Sequence, residues 1–132
     1  MRHKFVTGLV LTGLAACQPH EITSHETVAC SRDLLSSAVN QYAKAAGNRF
    51  VVEAIQCEQN WAVVSGMLGP VNPPQDGPQG VGTTRIFHFE YQSWQPKASE
   101  TVCGHFDPQQ PDALPNDATI PAQLYLLGCL AG

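Results

Sequence analysis

RFVVEAIQC-EQN-WAVVSGML, Arg49 to Leu68, sets two runs of β-branched and aromatic residues on either side of three polar ones. Runs of this character favour strands, and a polar break as short as Glu58-Gln59-Asn60 leaves a hairpin as the simplest connection. Beyond it, Gly69 to Gly82 (GPVNPPQDGPQGVG) is crowded with proline and glycine and predicts an irregular exposed loop. Thr83 to Gln92 (TTRIFHFEYQ) then alternates cleanly. That alternation predicts a third strand with Arg85, Phe87, Phe89 and Tyr91 on one side and Ile86, His88 and Glu90 on the other, the Phe87, Phe89 and Tyr91 row facing the core. A fourth short strand is expected between Trp94 and Cys103, held to a sheet edge by Pro96.

Helices flank this set. Leu34, Leu35, Ala38, Val39, Tyr42, Ala43 and Ala46 recur at helical spacing. Ser31 is placed to cap that helix, Asp33 lies in its first turn, and Gly47 stops it. Ser36, Ser37, Asn40, Gln41 and Lys44 fall on the polar face. After a second proline-rich connection, Asp107 to Pro115, Thr119 is placed to cap a helix from Ile120 to Leu130 with Pro121 in its first turn. The expected fold is α+β: a single antiparallel sheet of three to four strands with an N-terminal and a C-terminal helix on one face, stabilised by two disulfides.

The 132 residues are 43% hydrophobic and 14% charged, a globular composition. The chain opens on Met-Arg-His-Lys, followed by an apolar run from Phe5 to Ala16 that ends in small residues before Cys17. A basic start and a short apolar core read as an export signal over residues 1–16, and a membrane span needs about 20 apolar residues. Removing it takes away Arg2 and Lys4, leaving five basic against eleven acidic residues, a balance of −6. The remaining cations, Arg32, Lys44, Arg49, Arg85 and Lys97, are scattered, so no stripe exists to neutralise phosphates and no nucleic-acid partner is expected.

Leu14-Ala15-Ala16-Cys17 resembles the lipobox of bacterial lipoproteins. The resemblance covers residues 1 to 17 and implies a diacylglyceryl group on the Cys17 thiol, cleavage before it, and an acylated new amino terminus. A single acyl chain binds membranes marginally, whereas two or three hold stably. Gln18 stands where an Asp would retain the protein at the inner membrane of a Gram-negative cell. The implied address is the outer membrane in such a host and otherwise the outer face of the plasma membrane. Residues 17–29 read as the lipidated cysteine and a polar tether, and 30–132 as a disulfide-braced domain.

Cys17 accounts for the odd cysteine among five; Cys30, Cys57, Cys103 and Cys129 form an even set in an exported chain, as disulfide frameworks do. Of three possible pairings, the local one, Cys30 with Cys57 and Cys103 with Cys129, is favoured. Each bridge then closes a loop of about 28 residues, worth roughly 3 to 4 kcal/mol in the chain-entropy model. Cys57 to Ala62, Trp94, Cys103-Gly104, Ile120 to Leu124 and Cys129 are together similar to small exported actinobacterial proteins with four cysteines. All of these positions are structural, and the resemblance implies no activity.

Chemistry is sparse. His20 and His25 are five residues apart, out of line on a helix, so a metalloprotease pair is not formed. Cys103-Gly104-His105 offers at most two ligands where tetrahedral zinc wants about four, and no metal or cofactor is expected. There is no G-x-S-x-G elbow, phosphate-cradling loop or dinucleotide fingerprint, and Ser65 and Ser93 lack a recognisable partner. His88 and Glu90 lie two apart on one strand face, about 7 Å between their Cα atoms, a spacing suited to lining a surface jointly rather than to direct bonding. With Trp61 and Trp94, if those are exposed rather than core anchors, they form a possible binding surface. The expected function is a membrane-anchored envelope lipoprotein acting as a non-enzymatic module for an envelope protein or small ligand. The alternatives are a small envelope hydrolase of peptidoglycan or lipid using His88, Glu90 or His105, and an inhibitor of such an enzyme using the Gly69 to Gly82 loop.

Overall fold

The computed structural model describes residues 30–131; the signal, Cys17, His20 and His25 lie outside them. The chain runs α1 (Arg32–Ala45), β1 (Asn48–Glu58), β2 (Trp61–Pro70), β3 (Val81–Glu90), β4 (Ser93–Lys97), α2 (Ser99–Val102), α3 (Ala122–Tyr125) and a π-helical turn, Leu126–Leu130. The strands form one antiparallel sheet in the order β1-β2-β3-β4. The α+β class and the single sheet are as the sequence predicts.

The Arg49 to Leu68 stretch is the expected hairpin, tighter than the three polar residues suggest. Glu58 pairs with Trp61, leaving Gln59-Asn60 as the turn. Glu53 is an extra residue between Val52, opposite Gly66, and Ala54, opposite Ser65, and makes a bulge. Ser31 caps α1 by accepting from the Leu34 N–H, and Gly47 ends it at φ 73°.

The helices do not share a face. Leu35, Val39 and Ala43 of α1 pack with Phe50, Ala62, Val64, Phe87 and Trp94 on one side of the sheet. Val63 and Ile86 point the other way, into Val102, Ile120, Leu124 and Tyr125. Because side chains alternate along a strand, the unbroken apolar run Ala62-Val63-Val64 feeds both layers. Burying a side chain such as Leu35 or Phe87 contributes roughly 1.5–3 kcal/mol.

The C-terminal layer also departs from expectation. Thr119 is not a cap: its N–H and that of Ile120 both donate to the Val102 carbonyl. The helix begins at Ala122 without a side-chain cap and widens into the π turn. There Gly128 lies so close to the sheet that a Cβ would stand 3.1 Å from Val63 Cγ2 and 3.2 Å from Ile86 Cγ1. Each layer is tied by one bridge, Cys30–Cys57 to the α1 side and Cys103–Cys129 to the other. The local pairing is therefore the one adopted.

Asn40 does not sit on a wet face. Its carboxamide oxygen accepts from the Phe50 N–H at 2.9 Å and its Nδ2 donates to the Phe50 carbonyl at 3.0 Å. One side chain thus serves as a neighbouring strand for the open edge of β1. Arg32 adds a bond from its guanidinium to the Val52 carbonyl at 2.7 Å. At the opposite edge, Pro96 of β4 brings no N–H, as its edge placement requires.

Candidate binding surfaces

The titratable cluster is built by strand alternation on the face away from α1. His88 and Glu90 of β3 point there with Ile86, Trp61 lies opposite His88, and Lys97 lies opposite Ile86. The His88 and Trp61 rings stand 4.3 Å apart at 37°. His88 Nδ1 meets Glu90 Oε1 at 2.6 Å, correcting the expectation that the pair is too far apart for a direct bond. Two residues apart on one strand face, the two side chains are long enough to meet across the spacing of their Cα atoms. Lys97 Nζ reaches the same oxygen at 2.7 Å. The Lys97 ammonium, and then the His88 ring, hold the Glu90 carboxyl below its ordinary range.

This arrangement suits positioning better than proton transfer. The carboxylate is already neutralised by a cation, and no hydroxyl or thiol among the described residues hydrogen-bonds the His88 ring. Ser93 is engaged by the Gln95 amide at 2.5 Å. His105 lies elsewhere, paired through Nδ1 with Asp117, whose second oxygen accepts from the His105 N–H. The backbone bond, then the ring bond, lowers the Asp117 carboxyl below its ordinary range. None of His88, Glu90 and His105 lines any of four clefts formed by the described residues. Among the described residues no group of three or more His, Cys, Asp or Glu side chains could hold a metal ion.

Trp94 goes to the other face. It is 6% exposed, packs edge-on against Phe89 at 5.3 Å, and anchors the α1 layer rather than joining Trp61 and His88. Its Nε1 is buried without a hydrogen-bond partner among the described residues. Nor does Tyr91 belong to the core row: it is 93% exposed, because Tyr91-Gln92 is the two-residue turn between β3 and β4. Both turn residues have positive φ, 51° and 63°. That geometry matches the twist of a hairpin but is usually supplied by Asn-Gly, and a non-glycine residue there costs roughly 1–2 kcal/mol.

Between α1 and this hairpin lies a groove of about 420 Å³. Leu35, Val39 and Ala43 are the buried part of the apolar stripe and Ala38 packs against them; Leu34 and Tyr42 are 53% and 48% exposed and, with Ala38, form the helix wall. Phe89 and Trp94 line the opposite side. Ser37, Gln41 and Gln92 supply polar groups, and no lining residue is charged. The sequence hides this surface because Leu34 and Tyr42 read as core and because a turn without glycine or asparagine leaves no signal.

No protein-family model matches this chain, nor does any curated protein or solved structure.

Proposed function

We propose that the chain is a non-enzymatic interaction module of the bacterial cell envelope, lipid-anchored through Cys17, which offers the groove between α1 and the β3–β4 hairpin to a partner. The lipobox resemblance at Leu14 to Cys17 supports the address. The observation that carries the binding role is the groove itself: an apolar helix stripe left uncovered opposite Phe89 and Trp94. Its volume falls among those of ligand sites, about 300–1,000 Å³. The strained turn carrying exposed Tyr91 borders it through Gln92, and strain of this kind tends to be kept where it serves recognition.

The test is co-sedimentation of the lipid-free mature chain, carrying Cys17→Ser, with isolated envelopes. Leu34→Glu and Tyr42→Ala should abolish binding, whereas His88→Ala and Glu90→Gln should leave it intact. Binding that follows His88 and Glu90 instead, or hydrolysis of envelope material that disappears with them, would replace this reading with the enzyme. The anchor is tested by mass: the full chain should carry lipid and fractionate with membranes, and the Cys17→Ser form should do neither.

A second reading, an inhibitor acting through the proline-rich loop, is favoured by one observation. The Gln79 amide braces that loop from within, donating to the Pro74 carbonyl at 2.9 Å and the Gly77 carbonyl at 3.2 Å. Deleting Pro73 to Gly80 should then abolish inhibition of an envelope hydrolase while leaving the melting temperature nearly unchanged.

A further inference from the structure

We infer that the occupant of the α1–hairpin groove is a neutral sugar chain, an uncharged oligosaccharide bearing hydroxyl or acetamido groups. The inference rests on the binding role proposed above and names its ligand class. Three features of the lining converge on it. The first is charge: in a chain with eighteen charged side chains, none lines the groove. A charged ligand entering it would give up hydration without gaining a counter-ion.

The second is the pairing of aromatic faces with free amides and hydroxyls. Tyr42 and, in part, Phe89 offer ring surface above the buried Trp94, which suits the apolar C–H face of a pyranose. Ser37, Gln41 and Gln92 stand beside them, and none spends its side chain on a hydrogen bond among the described residues. A carboxamide both donates and accepts, as a sugar hydroxyl or acetamido group requires of its partner. The third is the buried Trp94 Nε1–H. A donor left without an acceptor is costly, so a ligand oxygen that reached it would form a hydrogen bond the free domain lacks.

An extended peptide is the competing occupant, and the edge beside the groove argues against it. Strand addition needs a row of free backbone donors and acceptors, and β4 is a short strand interrupted by Pro96, which has no N–H to give.

Tryptophan fluorescence tests the inference, because Trp94 lines the groove while Trp61 lies on the opposite face. The lipid-free mature chain in a Trp61→Phe background would be titrated with tetra-N-acetylchitotetraose, cellotetraose and oligogalacturonate. At least one neutral oligomer should change the Trp94 emission saturably. Its affinity should vary less than twofold between 0.05 and 0.5 M salt and exceed that of the anionic oligomer at least tenfold. Tyr42→Ala and Gln41→Ala should each weaken binding tenfold or more, and His88→Ala should not. Gln41→Ala raises helix propensity at an exposed position, so its effect would not reflect unfolding.

Absence of saturation with both neutral oligomers, preference for the anionic one, or indifference to the groove variants would overturn the sugar assignment. If neutral sugars fail while Leu34→Glu still abolishes envelope binding, the groove reading survives without them. Protease-sensitive envelope binding would then identify a polypeptide occupant. If Leu34→Glu leaves envelope binding intact, the groove reading itself falls.

Discussion

Replacing Asn40 with Ala removes both hydrogen bonds that its amide makes to Phe50, at 2.9 and 3.0 Å, and opens the edge of β1. A typical bond contributes about 0.5–1.5 kcal/mol net, and a backbone group left without a partner in a part-buried site costs about 1–3 kcal/mol. Against this, alanine gains up to about 0.7 kcal/mol in helix propensity. The expected balance is a loss of about 2 kcal/mol. In a domain of this size, each kcal/mol corresponds to about 4–8 °C, so the melting temperature should fall by roughly 8–16 °C.

Asn40→Asp sharpens the test. The carboxylate keeps an acceptor for the Phe50 N–H but turns a second oxygen towards the Phe50 carbonyl. Repulsion there raises the folded-state pKa of the new carboxyl. Its penalty is then fully present above that raised value and fades as pH falls through it, when the proton restores a donor. Urea denaturation of wild type, Asn40→Ala and Asn40→Asp at pH 7 and pH 4 measures all of this. An Asn40→Ala loss below about 0.5 kcal/mol, or an Asp variant whose deficit does not shrink at pH 4, would refute the edge-strand role.

Three further outcomes are expected. Gly66→Ala puts a Cβ 2.0 Å from the Val51 carbonyl oxygen and 2.6 Å from the Phe50 ring, so backbone must move and the loss should exceed the roughly 1–3 kcal/mol of ordinary overpacking, read by urea titration. Replacing Cys103 and Cys129 together with Ser opens a loop of sequence separation 26. That should cost about 3.5 kcal/mol, read from the denaturation midpoint with Cys30–Cys57 intact. Glu90, held below its ordinary value of 4.5, contributes stability that is present above that pH and lost as pH falls through its folded-state value. The gap in melting temperature between wild type and Glu90→Gln should therefore narrow below pH 4.5, and a gap independent of pH would show that the ion pair with Lys97 contributes nothing to stability.

Much of the architecture is legible in the sequence because strand and cap signals are local. Ser31, Gly47, the β-branched runs around Glu58-Gln59-Asn60, and the cysteine spacing each act within a few residues or one loop. What the sequence conceals is relational. Ala62-Val63-Val64 carries the signature of a strand buried on both faces, yet that signature yields opposed helical layers only once the C-terminal segment is known to cross the sheet. Phe89 and Tyr91 look equivalent in TTRIFHFEYQ; the pairing of Phe89 with Trp94 and of Glu90 with Ser93 places the turn between them and expels Tyr91 into solvent. Asn40 is indistinguishable from Gln41 by composition, but one meets a strand edge and the other a groove.

Those two neighbours also explain why the groove exists. Arg32 and Asn40 fasten α1 to β1, and the Cys30–Cys57 bridge ties the start of the helix to the end of the same strand. All these ties pull towards one edge of the sheet. Leu35, Val39 and Ala43 occupy the centre and Ala38 closes against them, so on the opposite flank of the helix Leu34 and Tyr42 stay exposed beside the β3–β4 hairpin. Protecting β1 from strand pairing and leaving a groove beside Trp94 are thus consequences of a single displacement. An open sheet edge must be guarded against association, and here the same contacts leave Tyr42 and the Gln41 and Gln92 amides free on the other side. Loosening them at Asn40 should therefore change the emission of Trp94 as well as stability, although Asn40 does not line the groove.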